Sequence, residues 1–261
     1  GVPLNALSRH SFRHISKKKD CNPKPQKLTC PIDFSGGPMK FLKAFSTLTL
    51  SLLVAASSAH AGGTIEGTVT VKTKGLFGKQ GAKGDASNVV IFLEELQMPN
   101  PNGREKIVQK GKQFQPRVLP IVMGGVVEFP NEDPFNHNVF SPTPEYKFDL
   151  DYYGTGKSKN VRFQKTGAVR IYCNIHSNMV SDVLVVPNPF FAKTGADGKF
   201  RINNIPPGKY TFVAWQPSGA SEKRGIAIVD GKTLQVNFEV EESVFSIKHK
   251  NKYGRAYDKE Y

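Results

Sequence analysis

Cys173, His176 and Met179 follow one another at intervals of three residues in the stretch Cys-Asn-Ile-His-Ser-Asn-Met. This stretch offers a thiolate, an imidazole and a thioether, and the upstream run Phe-Asn-His-Asn-Val adds a second imidazole from His137. Thiolate and thioether sulfur are soft ligands that suit Cu(I), whereas imidazole suits several transition metals. The residue types and their spacing therefore mark these four side chains as candidate metal ligands.

Two His, one Cys and a weakly bound Met are the ligand set of a blue-copper electron-transfer site. Taken singly, Cys173 could be a small buried apolar residue, His176 a hydrogen-bonded loop residue and Met179 core filler. The combination is more specific, because the chain after residue 61 contains only three His and one Cys. Zinc fits less well, since it prefers four N, S or carboxylate ligands. We therefore predict one copper ion per chain, held by His137, Cys173, His176 and Met179.

A secretory signal peptide is predicted for residues 39–61. Two lysines precede a short apolar stretch at 44–56, and the small residues of Ala59-His60-Ala61 form a cleavage site. The apolar stretch is shorter than the roughly 20 residues that a spanning helix needs. Residues 1–38 are interpreted as non-native or upstream sequence, with a genuine basic extension as the alternative. We thus expect a periplasmic protein that begins near Gly62 and keeps no stable membrane span after cleavage.

The single cysteine that remains after this cleavage gives a second argument for a metal. Cys173 has no partner for an internal disulfide, and a free thiol in an oxidising compartment is a liability unless something holds it. Ligation by copper would protect the thiol. This argument is independent of the spacing of the ligands.

The net charge of +14 gives little information about partners. Removing residues 1–61 takes away nine of the 36 basic and two of the 22 acidic residues, which leaves +7. These charges are scattered, so they are interpreted as a solvated surface, with steering toward an acidic redox partner as the alternative. Basic residues and aromatics do not interleave in a recognisable motif, so we predict no nucleic-acid partner.

The elements that must position the ligands are predicted to be β-strands. Apolar residues alternate at Ile65, Gly67, Val69 and Val71, and a strand at 169–172 delivers Cys173 at its end. No segment after residue 61 carries a sustained helical period. Many short strands with turn signals between them predict an all-β protein built from sandwiches.

At these residues the chain resembles the cupredoxins. The Cys-x2-His-x2-Met spacing is similar to the short ligand loop of amicyanin, and the run Gly124–Asn131 before His137 resembles the strand and loop that carry the first His. The chain also resembles bacterial methylamine-utilisation or plastocyanin-like proteins, in which a cupredoxin unit precedes a carboxypeptidase-regulatory-like domain. The resemblance implies a Greek-key β-sandwich over 62–187 and an outer hydrogen bond from Asn138 to the Cys-bearing loop. Ser177 departs from the Pro that often follows the second His in such relatives, which bears on loop rigidity.

A second, smaller domain is predicted for residues 188–240, after the stiff break Pro187-Asn188-Pro189. Asp197-Gly198 and Asp230-Gly231 indicate hairpins, because Gly permits the positive φ of a type I′ turn. This region resembles the carboxypeptidase-regulatory-like domain, a prealbumin-like β-sandwich with no chemistry of its own. Residues 241–261 are interpreted as a basic polar tail, in which His249 would be solvated and not a ligand.

The predicted function is one-electron transfer between redox partner proteins, without enzymatic activity. A copper oxidase or reductase would need further metal sites, and three His cannot build them beside the first site. The alternative is a copper-binding or copper-delivery protein that plays no part in electron transfer. The same four ligands would serve it, although tracts rich in Met or His are absent from the sequence.

Overall fold

The computed structural model describes residues 62–74, 80–82, 84–243 and 249–257, which form β-strands joined by turns. The predicted upstream segment at 1–38 and the predicted signal peptide at 39–61 lie outside the described residues. Within the described ranges, no helix is long and apolar enough to cross a membrane. The prediction of an all-β protein is confirmed.

Twenty strands follow one another along the described chain. The first ten are β1 Gly63–Lys74, β2 Gln80–Ala82, β3 Val90–Leu93, β4 Arg104–Lys106, β5 Val108–Gln109, β6 Phe114–Gln115, β7 Val118–Val122, β8 Val126–Pro130, β9 His137–Ser141 and β10 Phe148–Tyr153. The other ten are β11 Ser158–Arg162, β12 Gly167–Tyr172, β13 Val180–Val186, β14 Phe191–Lys193, β15 Lys199–Ile205, β16 Gly208–Trp215, β17 Gly219–Ala220, β18 Glu222–Ile228, β19 Thr233–Gln235 and β20 Phe238–Ser243. A 3-10 turn, Pro144–Tyr146, lies between β9 and β10.

The strands that carry the candidate ligands belong to one sandwich. Its larger sheet has the order β10-β9-β12-β13-β7, and its smaller sheet has the order β11-β8-β4. Val169 and Ile171 on β12 point into a core that also contains Phe129 and Phe163. Because side chains alternate along a strand, Cys173 continues this inward-facing row just beyond the end of β12. The core thus places the thiol inside the sandwich.

The second sandwich is built from strands at both ends of the described chain. One sheet contains β15-β1-β20-β17, with β2 and β19 also paired to β1, and the other contains β14-β3-β16-β18. The predicted alternation on β1 is confirmed, since Ile65, Val69 and Val71 are all buried. Gly67 lies on the same face, where an added Cβ would stand 1.8 Å from the carbonyl oxygen of Val236. Only a residue without a side chain fits at this close approach.

The sheet pairing differs from the predicted division of the chain into 62–187 and 188–240. β1 pairs with β15, β19 and β20, and β3 pairs with β14 and β16. The ligand-bearing sandwich is therefore inserted between β3 and β14 of the other one. The sequence grouped β1 and β3 with the strands that follow them because alternation identifies a strand but does not identify the partner to which it hydrogen-bonds.

The two Asp-Gly turns also differ from their prediction. Gly198 and Gly231 adopt the expected positive φ, at 70° and 64°. The strands that flank each turn nevertheless pair with other strands and not with each other, as β14 joins β3 and β15 joins β1. The turns reverse the chain between sheets, so the predicted hairpins do not form.

The two sandwiches share a small apolar cluster centred on β13. Val183 and Val185 face the core of the ligand-bearing sandwich, whereas Leu184 and Val186 face the other sandwich. Because both faces of this strand are covered, it is apolar without interruption from Val183 to Val186. The cluster comprises Val90, Val118, Leu184 and Val186, with Phe92, Val122, Phe191 and Trp215 packed against it.

Candidate metal centre

Three of the four predicted ligands converge at one end of the first sandwich. His137 begins β9, Cys173 follows β12, and His176 lies in the turn between β12 and β13. The Cys173 sulfur lies 3.9 Å from Nδ1 of His137 and 3.8 Å from Nδ1 of His176. The candidate ligand atoms all lie within 4.8 Å of one another, and the three residues are buried. The fold therefore creates a compact set of two imidazoles and one thiol.

The loop that carries Cys173 folds back on itself. The backbone N–H of Cys173 donates to the carbonyl of Met179 at 3.3 Å, and the N–H of Met179 donates to the carbonyl of His176 at 3.1 Å. The N–H of Ile175 points at the Cys173 sulfur at 3.5 Å. A donor at this position can offset part of the negative charge that a metal-bound sulfur carries.

Met179, the fourth predicted ligand, ends this loop immediately before β13. Its side chain is fully buried and belongs to the same core cluster as Cys173. Ligation of a metal by this sulfur stays a prediction.

Asp133 is a candidate site residue that the sequence did not indicate. Its Oδ2 lies 2.8 Å from Nε2 of His137, and its carboxylate accepts the backbone N–H groups of Lys112 at 2.9 Å and Gly111 at 2.6 Å. Burial alone would raise the pKa of Asp133, but these hydrogen bonds outweigh it and hold the pKa below its usual range. The charged carboxylate keeps the imidazole proton on Nε2. Nδ1 of His137, which faces Cys173, then carries the lone pair that can bind a metal.

Asn138, the predicted support of the Cys-bearing loop, makes a different contact. Its Nδ2 donates to Oδ1 of Asp149 on β10 at 2.6 Å. Its buried Oδ1 has no hydrogen-bond partner among the residues that the structure describes. The predicted bond from this amide to the loop is therefore not formed there, because the side chain is directed to β10 instead.

His176 is surrounded by groups that favour its neutral form. Burial, the neighbouring His137 and the charge of Lys112 lower the pKa of His176, with Asp133 opposing them. The ring of Phe135 stands beside both imidazoles, with centroids 5.2 Å from His137 and 5.8 Å from His176. Phe135 is 38% exposed, whereas both imidazoles are buried, so its ring lies on the surface side of the two histidines. A neutral imidazole keeps the lone pair that a metal ion needs.

The predicted C-terminal tail is a second feature that the sequence analysis placed wrongly. Residues 241–243 belong to β20, and residues 249–257 lie against the ligand loop. His249, predicted to be solvated, stacks on the ring of Tyr172 with centroids 3.8 Å apart and planes at 19°. Burial lowers the pKa of His249, and burial together with the nearby Cys173 raises that of Tyr257. The basic composition of this segment predicted that it is solvated, but the packing of His249 on Tyr172 holds it against the ligand loop.

The donor set fits copper. One thiol and two imidazoles converge at buried positions, and a buried thioether lies in the same core. The soft sulfur donors suit Cu(I), and the imidazoles suit both oxidation states. Asp133 supplies the carboxylate partner that commonly orients a metal-binding imidazole.

Comparison with protein families identifies the second sandwich in part. Residues 182–241 match the model of the carboxypeptidase regulatory-like domain. This range runs from within β13 to β20, whereas β1 and β3 of the same sandwich lie outside it. A search of curated protein sequences gives no match.

Solved structures that resemble the chain include copper proteins. The copper-containing nitrite reductase of Thermus scotoductus SA-01 is 26% identical over 35% of this chain and 23% of that chain, with a TM-score of 0.31. A purple cupredoxin from Nitrosopumilus maritimus is 25% identical over 31% of this chain and 98% of that one, with a TM-score of 0.28. A copper(I) form of an amicyanin variant is 16% identical over 31% of this chain and 81% of that one, with a TM-score of 0.30. The chain spans less than a quarter of the nitrite reductase, and each likeness covers about a third of this chain.

Proposed function

We propose that the protein is a type 1 copper protein that carries one electron between redox partner proteins. The observation that carries the proposal is the convergence of His137, Cys173 and His176 in a buried cluster whose ligand atoms lie within 4.8 Å of one another. Two imidazoles and a thiol, with Met179 buried in the same core, form the donor set of such a site. The copper, when bound, supplies a centre that changes its charge by one electron.

The chain's own residues hold the donors in place. Asp133 fixes the proton of His137 on Nε2 and so directs Nδ1 toward Cys173. The N–H of Ile175 offsets part of the charge on the Cys173 sulfur. The surrounding core, which includes Phe129 and Phe163, excludes water from this end of the sandwich. A site held by a packed core rearranges little when its charge changes, and this favours rapid electron transfer.

Burial of the donors also bears on the alternative of copper delivery. The exposed fraction is 0% for His137 and Cys173 and 6% for His176. A delivery protein must hand its metal to a partner's ligands, which requires access to the donor atoms. The enclosed arrangement therefore favours retention of the metal.

The proposal includes the absence of enzymatic activity. The third histidine among the described residues is His249, whose ring nitrogens contact the Ser177 carbonyl and the Tyr257 hydroxyl. It is thus engaged in packing against the ligand loop. We propose that the chain is exported to the periplasm after cleavage near Gly62 and meets its redox partners there, as the predicted signal at 39–61 suggests.

The test is the absorption and electron paramagnetic resonance spectrum of the exported protein loaded with Cu(II). We expect one copper per chain and an intense blue or green band from charge transfer out of the Cys173 thiolate. Cys173→Ser should abolish the band, although two imidazoles can still hold Cu(II) weakly. A colourless Cu(II) complex of the unmutated protein, or a spectrum that Cys173→Ser leaves unchanged, would overturn the proposal. Rapid transfer of the copper to a chelator without redox cycling would favour delivery.

A further inference from the structure

Two backbone carbonyls of the ligand loop accept hydrogen bonds from the C-terminal segment 249–257. The Tyr257 hydroxyl donates to the carbonyl of Cys173 at 2.6 Å. Nε2 of His249 lies 2.5 Å from the carbonyl oxygen of Ser177. Because a carbonyl can only accept, the proton of this imidazole is assigned to Nε2. The two bonds hold the loop on either side of His176.

A third hydrogen bond joins the same segment to the loop between these two points. The backbone N–H of Lys252 donates to Oδ1 of Asn174 at 2.9 Å. The Lys252 ammonium also pairs with Asp149 at 2.6 Å, which anchors the segment to β10. Within a short stretch, 249–257 therefore contacts the loop at three residues and the sheet beside it at a fourth.

Ring packing fixes the position of this segment. His249 stacks on Tyr172, the residue just before Cys173, and meets the ring of Tyr257 edge to face with centroids 5.2 Å apart. Aromatic contacts of this kind stabilise by about 0.5–1.5 kcal/mol beyond the area they bury. The rings hold the Tyr257 hydroxyl and the His249 imidazole at the two loop carbonyls.

The backbone hydrogen bonds within the loop are long. Its internal backbone hydrogen bonds join Cys173 to Met179 at 3.3 Å and Met179 to His176 at 3.1 Å. These distances are at or beyond the long end of the usual range for N–H···O bonds. The bonds from 249–257 are shorter, and they restrain the loop from outside.

We propose that residues 249–257 are a strap that forms part of the metal site, in which Tyr257 and His249 are positioning residues that hold the Cys173–Met179 loop in shape before metal binds. The hydrogen bonds of the strap go to the Cys173 and Ser177 carbonyls and to the Asn174 side chain, and not to a candidate ligand atom, so the strap acts through the loop that carries the ligands. The proposal rests on the proposed function for the identity of the metal, but the restraint on the loop belongs to the metal-free protein. Outer partners of this kind typically change metal affinity 10–100-fold.

The test compares Tyr257→Phe with Tyr253→Phe in the full-length protein. The first variant removes only the hydroxyl that bonds to Cys173, whereas Tyr253 lies in the same segment and is 63% exposed. We expect the amides of Ile175 and Met179 to exchange with deuterium about fivefold faster in metal-free Tyr257→Phe, as loss of one hydrogen bond implies. Cu(II) affinity, measured by competition with a chelator, should fall about 10-fold. Tyr253→Phe should change neither quantity.

A second variant, His249→Phe, keeps the stack on Tyr172 but removes the bond to Ser177. It should speed the same exchange and weaken Cu(II) binding in the same direction. The amide of Phe212, in the core of the other sandwich, reports whether a variant has loosened the whole fold. Unchanged exchange of the loop in both Tyr257→Phe and His249→Phe would overturn the strap, as would equal acceleration at Phe212. If the unmutated protein bound no copper, the proposed function would fail, while exchange in the metal-free protein would still decide the strap.

Discussion

Val69 on β1 pairs with Phe238 on β20 in a parallel ladder, although the whole ligand-bearing sandwich lies between them in sequence. Both side chains are buried in the core of the second sandwich. Apart from its short pairing with β2, β1 therefore depends for its pairing on strands that follow residue 190. A cut between the two sandwiches at a single point in the chain would separate β1 from its partners.

This arrangement predicts different behaviour for two fragments of the chain. Residues 98–187 contain the ligand-bearing sandwich and the backbone bond from Met98 to Pro187. Residues 62–187 also carry β1, which keeps only β2, and β3, which loses both of its partners, and unpaired apolar strands promote aggregation. We expect the shorter fragment to be monomeric and to bind one copper, more weakly than the full chain because it lacks 249–257. Size-exclusion chromatography and copper analysis check this.

Both fragments lack Phe191 and Trp215, which pack against Val118, Leu184 and Val186 in the full chain. An equally monomeric 62–187 fragment would contradict the assignment of β1 and β3 to the second sandwich. A folded 98–187 fragment that bound no copper would contradict the location of the site.

Replacement of Asp133 should weaken metal binding in two distinguishable ways. Asp133→Asn keeps an oxygen that can accept from His137 but removes the charge, so Cu(II) affinity should fall at least about 10-fold. Asp133→Ala also removes the bond to the buried His137 and the acceptor of the Gly111 and Lys112 N–H groups, which lie at exposed residues and can bond to water, so we expect a loss of about 2 kcal/mol in the free energy of unfolding. Copper titration and denaturant unfolding measure the two effects. Glu132→Gln, at an exposed neighbouring carboxylate, should leave both unchanged, and full affinity in Asp133→Asn would refute the role of this residue.

Met179→Leu tests the fourth ligand. Leucine has a similar volume, so the free energy of unfolding should fall by less than about 1.5 kcal/mol. Copper and colour should persist because a thioether would be the weakest of the four ligands. The reduction potential should rise, since a thioether stabilises Cu(II) more than a methyl group does. Met123→Leu is the matched control, because Met123 packs against the same core without belonging to the loop. Equal potentials in the two variants, measured by voltammetry, would exclude Met179 as a ligand.

The local features of the fold and the candidate site could be predicted from the sequence. Cys173, His176 and Met179 lie within one loop, so their spacing alone determines that they are neighbours. The alternation of Ile65, Val69 and Val71 predicted a strand with one buried face, which β1 has. In each case the information lies within a few residues.

Features that depend on distant partners could not be predicted. Asp133 stands in a polar turn four residues before His137, and only the β5–β6 turn reveals why it is buried and charged. His249 lies in a basic stretch that indicates solvent, but its position is decided by the ring of Tyr172. The pairing of β1 likewise depends on strands at the other end of the described chain. The period of apolar residues along the sequence identifies whether a segment is a strand or a helix, but it does not determine which strands pair with that segment.

Asp182 on β13 carries a buried carboxylate. Its side chain is 3% exposed and pairs with the guanidinium groups of Arg117 and Arg170, the second at 2.7 Å. Arg170 also donates to the carbonyl of Pro217, in the other sandwich, at 2.8 Å. The carboxylate thus fixes an arginine that ties the two sandwiches together.

Asp182→Ala should lower the free energy of unfolding by about 3 kcal/mol, the low end for a broken buried pair, because both arginines are partly exposed and regain water. The matched control is Glu94→Ala, which breaks the exposed pair with Lys223 and should cost less than about 1 kcal/mol. Copper stoichiometry should stay the same in both variants, since neither residue touches the candidate ligands. Denaturant unfolding of the metal-free proteins decides the matter: equal losses in the two variants would show that Asp182 contributes no more than a surface carboxylate.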